Sequence, residues 1–151
     1  MLSYRHSFHA GNHADVLKHS VQALILESLK VKDKAFVYID THAGAGCYDL
    51  HSKEMDKTGE YLDGIKRLWE LDWPEDLQSF KQVVNALNSD NSLNTYPGSP
   101  LLAKQLCRPQ DRLRLSELHP ADFPRLQSVF EHDRRAQLTK SDGFSNLRAA
   151  L

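Results

Sequence analysis

Residues 37–50 read VYIDTHAGAGCYDL: a run of β-branched and aromatic residues stops at Asp40, and a turn holding Gly44 and Gly46 follows at once. No other stretch restricts the fold as much. Glycine lets the backbone take positive φ, or pass close to a ligand, where a side chain would forbid it. A short buried strand (AFVYID, 35–40) that runs into such a turn predicts a sheet whose carboxyl edge meets a loop. Two further runs have the same form: LRLSEL (113–118) alternates and contains Glu117, and AQLTKSD (136–142) ends in Asp142 before Gly143. Helical patterns separate them. Val16, Leu17, Val21, Leu24, Ile25 and Leu29 recur at three- and four-residue steps over 14–30, with Asn12 or His13 as the start and Asp15 in the first turn. Ser99-Pro100 supplies an N-cap and a first-turn proline for PLLAKQLC, a helix spans about 121–131, and GFSNLRAAL opens another. Strands alternating with helices predict an α/β domain built on a parallel sheet.

Residues 51–95 change character. TGEYLDGIKRLWEL and EDLQSFKQVVNALN are helix-like, carry apolar stripes (Leu62, Ile65, Leu68, Trp69 and Phe80, Val83, Val84, Leu87) and are separated by DWP. They predict a helical hairpin inserted into the domain, leaving 1–50 with 96–151 as one unit and 51–95 as an insertion subdomain. Residues 1–13 read as an irregular arm and Tyr96–Pro100 as a loop.

A parallel sheet binds ligands beyond the carboxyl ends of its strands. The turn lacks the third glycine of the dinucleotide fingerprint, and no Gly-Lys-Ser/Thr follows to make a P-loop, so neither phosphate cradle is favoured. Glu117 stands where a carboxylate can accept from two ribose hydroxyls; a capping or solvent-exposed glutamate is the competing reading. Asp142 either accepts from an adenine amine or caps the helix at Gly143. Acidic residues at three strand ends beside a glycine turn favour a nucleoside pocket.

The remaining composition narrows the class. Nothing approaches a run of roughly 18 apolar residues, and the start MLSYRHSFHA is polar, so neither a membrane span nor a secretory signal is expected. Cys47 and Cys107 have no metal-binding spacing and no paired base, which fits a reducing cytoplasm and small apolar roles. Net charge is −1, but Lys30, Lys32 and Lys34 cluster, and Arg108, Arg112, Arg114, Arg125, Arg134, Arg135, Lys140 and Arg148 enrich the last third. A basic face for phosphates and an ordinary solvated surface both fit that distribution. His6, His9, His13 and His19 lie close together without His-Glu-x-x-His or a partnering carboxylate, so no metal is expected. Tyr4, Arg5, His6, Phe8 and His9 combine a cation with stackable rings, as unpaired RNA bases require; an arm folded onto the domain is the alternative.

MLSYRHSFHAGNHADVLKH, DTHAGAG, TGEYLDGI, YPGSP, SELHP and DGF, at their spacing over all 151 residues, resemble the bacterial large-subunit rRNA methyltransferases of type J. That family, once also linked to use of external DNA as a nutrient, methylates adenine N6 in 23S rRNA. The resemblance implies a Rossmann-like class I fold with a helical insertion, S-adenosyl-L-methionine as cofactor, and a cytoplasmic monomer acting on naked 23S rRNA or an early assembly intermediate. It assigns cofactor contacts to His19, His42, Ser99, Glu117, Asp142 and Gly143, with Glu117 on the ribose, Asp142 on the adenine amine, and His19, His42 and Ser99 towards the methionine end. Tyr4 matches the RNA-contacting position. The family's catalytic Asp-Pro-Pro-Tyr, a stiff loop that orients a poorly nucleophilic amine, is absent, and DWP is not a substitute. The family's catalytic aspartate is thus expected beyond Leu151. The chain is expected to be a portion cut after the third strand, unable to methylate RNA alone, with the first strand's outer edge unpaired. A non-catalytic nucleotide- or RNA-binding module, an oxidoreductase fragment and, most weakly, a nuclease are the other classes.

Overall fold

The computed structural model describes residues 5–150. Tyr4, expected at the RNA, and Leu151, past which the catalytic aspartate is expected, both lie outside the described residues. After a 3-10 turn at His6–Phe8 come α1 (His13–Lys30), β1 (Val37–Asp40), β2 (Cys47–Asp49), α2 (Lys53–Thr58), α3 (Ile65–Trp69), α4 (Gln78–Leu87), β3 (Thr95–Pro97), α5 (Ser99–Leu106), β4 (Arg112–Ser116), α6 (Asp122–Val129), β5 (Ala136–Thr139) and α7 (Gly143–Ala150). β1, β4 and β5 form a parallel sheet in that spatial order, with Asp40 beside Leu115 and Ser116 beside Thr139. All three strands therefore end at the same edge. Among the described residues β1 and β5 are the two outer strands of this sheet.

Leu113 and Leu115 of β4 are fully buried, while Arg112 and Arg114 alternate to the exposed side. α5 packs on β1 and β4, α1 lies against α5, and α7 rests on β4. One apolar cluster runs through the molecule, joining Leu102 and Leu115 to Phe80, Val84 and Ile65. Trp73 of the DWP segment belongs to this core, its ring edge-on to Phe80 at 5.3 Å.

Four local readings are corrected by the structure. Thr95–Pro97 is a strand rather than a loop: it pairs antiparallel with β2, Tyr48 opposite Tyr96. TGEYLDGIKRLWEL is not one helix. Gly59 ends α2 in the left-handed region, a 3-10 turn occupies Glu60–Asp63, and α3 starts only after Gly64. Leu62 is 51% exposed, so it leaves the predicted stripe. Ser99 is the first residue of α5 and not its cap; Gly98 is the N-cap, and the Ser99 hydroxyl turns to Asp40 instead.

Two cations of the basic last third are engaged within the fold. Arg108 donates to the Lys32 and Lys34 carbonyls and pairs with the fully buried Asp111, which also accepts from the Phe36 amide. Arg135 donates to the Lys104 and Cys107 carbonyls and pairs with Asp133. Both guanidiniums tie chain segments together.

Candidate functional site

β1 releases the chain at Asp40, whose carboxylate organises the turn after it. Its Oδ1 accepts from the His42 amide (3.1 Å); its Oδ2 accepts from the hydroxyls of Tyr38 (2.9 Å) and Ser99 (2.5 Å). The turn then folds back on the sheet edge, the Ala43 amide donating to the Ser116 carbonyl (3.0 Å). Gly44 has φ +65°, and a Cβ there would strike the Tyr48 hydroxyl. Its amide donates to Glu117 Oε2 at 2.7 Å, while Glu117 Oε1 accepts from the His119 amide at 2.6 Å. Glu117 thus links the ends of β1 and β4. Each of its oxygens has a second lone pair and can still take a ligand hydroxyl.

At the end of β5, Asp142 caps α7: Oδ1 accepts from the Phe144 amide (3.3 Å) and Oδ2 from the Ser145 hydroxyl (2.8 Å). Those hydrogen bonds, from Ser145 first and then the Phe144 amide, hold its carboxyl below the usual range. Gly143 comes next, where α7 crosses the glycine turn. A Cβ at this position would lie 2.6 Å from Thr41 Cα and closer still to the Thr41 carbonyl oxygen, so only glycine fits.

His19, His42, Ser99, Glu117, Asp142 and Gly143 all line one cleft of about 730 Å³ at the carboxyl edge of the sheet. That volume suits a nucleoside-sized ligand. His42 is exposed, with Nδ1 2.9 Å from the Thr41 hydroxyl and its ring edge-on to Phe144 at 4.9 Å. His19 is 4% exposed, with Nδ1 2.7 Å from the Tyr96 hydroxyl.

The same cleft includes residues for which sequence reasoning finds no pocket role. Leu118 and Phe144, 49% and 67% exposed, offer apolar surface beside the two acidic positions. His6, Asp15, Lys18 and Tyr48 line it as well. Asp15 does occupy the first turn of α1, but it is also buried, accepting from the Gly11 amide (3.1 Å), lying 2.6 Å from His6 Nε2 and pairing with Lys18. Burial alone would raise its carboxyl; the hydrogen bond and charge of His6, with His19 and Lys18, outweigh that and hold it well below the ordinary range. Only the closeness of His6, Asp15, Lys18 and His19 in sequence hints that they share this lining.

Burial pushes the His19 ring down to about 4, Asp15 only partly opposing the shift. Between the ordinary value of 6.5 and about 4, the unfolded chain binds a proton that the folded chain refuses. Stability therefore rises with pH across that window and is lost on acidification through it, by up to roughly 3 kcal/mol. The Asp15 contribution vanishes only at lower pH, below the ordinary carboxylate value. In His19→Gln the urea midpoints at neutral pH and near about pH 4 should lie closer together than in the wild type; an unchanged gap would mean that His19 is not the group responsible.

Burial also raises both thiols, Cys107 to about 11, which keeps them protonated and unreactive at neutral pH. Among the described residues no three His, Cys, Asp or Glu side chains gather as a metal site, and no helix is long and apolar enough to cross a membrane.

A parallel sheet with a glycine turn, acidic strand ends and a nucleoside-sized cleft at its carboxyl edge defines a Rossmann-like methyltransferase fold. Similarity to known proteins agrees. The model of the family described as "Ribosomal RNA large subunit methyltransferase D, RlmJ" matches residues 33–151, and the chain belongs to that family. It is 59% identical over 152 residues to Ribosomal RNA large subunit methyltransferase J of Escherichia coli K12 and 52% identical over 153 residues to the protein of that name from Haemophilus influenzae. Each alignment covers 100% of this chain and 54% of the relative, so the chain spans about half the length of those proteins. A crystal structure of a Legionella pneumophila protein superposes with a TM-score of 0.86 at 38% identity, covering 94% of this chain and 52% of that one.

Proposed function

We propose that this chain holds the S-adenosyl-L-methionine site of an enzyme that methylates N6 of an adenine in 23S rRNA, in the cytoplasm. Residues 1–50 and 96–151 form the nucleoside-binding unit, and 51–95 an insertion. The supporting observation is the convergence of His19, His42, Ser99, Glu117, Asp142 and Gly143, from α1, the glycine turn, α5 and the ends of β4 and β5, on one cleft.

The donor set fits the cofactor. Glu117 has an acceptor direction left on each oxygen for the two ribose hydroxyls. Asp142, exposed and kept ionised by its cap hydrogen bonds, accepts from an adenine amine, with Leu118 and Phe144 supplying apolar surface nearby. Buried neutral His19 and the Asp40-anchored Ser99 stand on the side taken by the methionine end, joined by His42. Keeping His19 uncharged avoids placing a second cation near a sulfonium. When bound, the cofactor supplies an electrophilic methyl group.

RNA approaches from the arm, where Tyr4 matches the family's RNA-contacting position and the sequence combines a cation with rings suited to an unpaired base. No Asp-Pro-Pro-Tyr occurs in these 151 residues, so the chain binds its ligands without turning them over. Calorimetry tests this reading: S-adenosylhomocysteine should bind with one-to-one stoichiometry and NAD should not. Equal binding of both, or of neither, would overturn it. Methyl transfer to a 23S rRNA fragment by the pure chain would refute the claim of binding without turnover.

A further inference from the structure

The segment 58–65 supplies none of the residues that line the cleft, yet it grips residues 8–12 of the N-terminal arm. The Thr58 hydroxyl donates to the Phe8 carbonyl (2.5 Å), and the Ile65 amide donates to the Gly11 carbonyl (2.8 Å). Both Glu60 oxygens lie 3.0 Å from His9 Nδ1, and Oε2 accepts from Asn12 Nδ2 at 2.9 Å. Gly64 permits the contact, since a Cβ there would come within 2.8 Å of Asn12 Cα and nearer to the Gly11 carbonyl. Hydrogen bonds from Asn12 first and then His9 lower the Glu60 carboxyl, so it stays ionised as the arm's acceptor.

On its other side the arm reaches the cleft. His6 is held by Asp15, and its ring stands edge-on to Tyr48 at 5.4 Å; all three line the cleft wall. Between Glu60 and His6 the chain has little slack: the His9 amide donates to the His6 carbonyl (2.9 Å) and the Asn12 amide to the His9 carbonyl (3.1 Å). A displacement at His9 is therefore passed to His6 through one hydrogen-bonded turn.

We propose that Glu60 is a positioning residue: through His9 and Asn12 it seats residues 5–12 on the 58–65 segment and so sets where His6 stands in the cleft wall. The inserted segment then shapes the side of the cleft that receives the incoming RNA base, and leaves the nucleoside side to Glu117 and Asp142. The functional consequence rests on the cleft being the methyl donor's site; the seating of the arm does not.

Amide hydrogen exchange and His6 ring resonances, measured on the 151-residue chain, test the proposal. In Glu60→Ala, exchange at Phe8, His9 and Asn12 should accelerate about tenfold, with the strands of the sheet unchanged, and the His6 ring protons should lose their Tyr48 ring-current shift. Glu60→Gln, which keeps an acceptor for Asn12 and for a His9 N–H, should restore most of both signals. S-adenosylhomocysteine affinity should stay within about twofold in either variant. Unchanged arm exchange and His6 resonances in Glu60→Ala would overturn the proposal, as would a loss of nucleoside affinity in that variant alone. A wild-type chain that binds no S-adenosylhomocysteine contradicts the functional reading instead, and the exchange data still decide the role of Glu60.

Discussion

Gly143→Ala should lower the melting temperature by about 10 °C and abolish binding of S-adenosylhomocysteine. The added Cβ would meet backbone, 2.6 Å from both Cα and the carbonyl carbon of Thr41 and closer to its oxygen, and neither partner can rotate away as a side chain would. Inserting a methyl group into a filled site costs about 3 kcal/mol when the surroundings cannot yield, which for a chain of this size amounts to a shift of that order. The strain falls at the site itself. Thr41 precedes His42, and Gly143 follows Asp142, so separating the two segments displaces cleft-lining residues on each of them. Thermal unfolding with and without the nucleoside reads both effects. A variant that melts within about 2 °C of the wild type and still binds would show that α7 and the glycine turn are not in backbone contact.

The second large effect is on binding and not on stability. Glu117→Ala should weaken S-adenosylhomocysteine binding by about 100-fold or more, since two hydrogen bonds to a charged acceptor are lost together. Folding should suffer much less, by about 1–2 kcal/mol, because the Gly44 and His119 amides lose their acceptor at a half-buried position open to water. Glu117→Gln offers one carbonyl oxygen where the carboxylate offered two and turns an amide group towards one of those N–H donors. It should lose about tenfold or more in affinity while folding normally. Calorimetry beside urea unfolding separates the two effects. If affinity and stability fell in proportion, Glu117 would be only the clasp between β1 and β4, and the ribose assignment would fail.

These residues differ in how far the sequence announces them. The strands are readable because each is a short β-branched or aromatic run closed by a turn, and their common direction follows from the helices between them. α1 is readable as a helix but not in its orientation. Periodicity fixes the pitch; it does not say which face is buried. Leu17, Val21, Leu24, Ile25 and Leu29 remain 42–67% exposed, and of these Val21, Ile25 and Leu29 share a groove with Val37, Tyr38 and Ile39 of β1. The buried face instead carries Asp15, His19, Ala23 and Leu26, because Asp15 and His19 find partners in His6, Gly11 and Tyr96.

The β2–β3 pair has no comparable signal. It is three residues long on each side, joins positions far apart in sequence, and has Pro97 at one end, which reads as a loop. Ser99 shows the same limit on a smaller scale. Ser-Pro before an apolar run is a sound capping signal, yet the hydroxyl is drawn to Asp40, a carboxylate the chain supplies 59 residues earlier. Asp142 admits two readings in the sequence, and the structure realises the cap while leaving the residue in the cleft wall. Local chemistry is legible; pairings set by the fold are not.

A crystal structure of the chain with S-adenosylhomocysteine would decide whether this cleft is the cofactor site. We expect the ribose hydroxyls on the two Glu117 oxygens, the adenine amine at Asp142, and the amino-acid end beside His19, His42 and Ser99. A nucleoside seated outside this cleft, or inside it with Glu117 beyond hydrogen-bonding distance of the ribose, would refute that assignment.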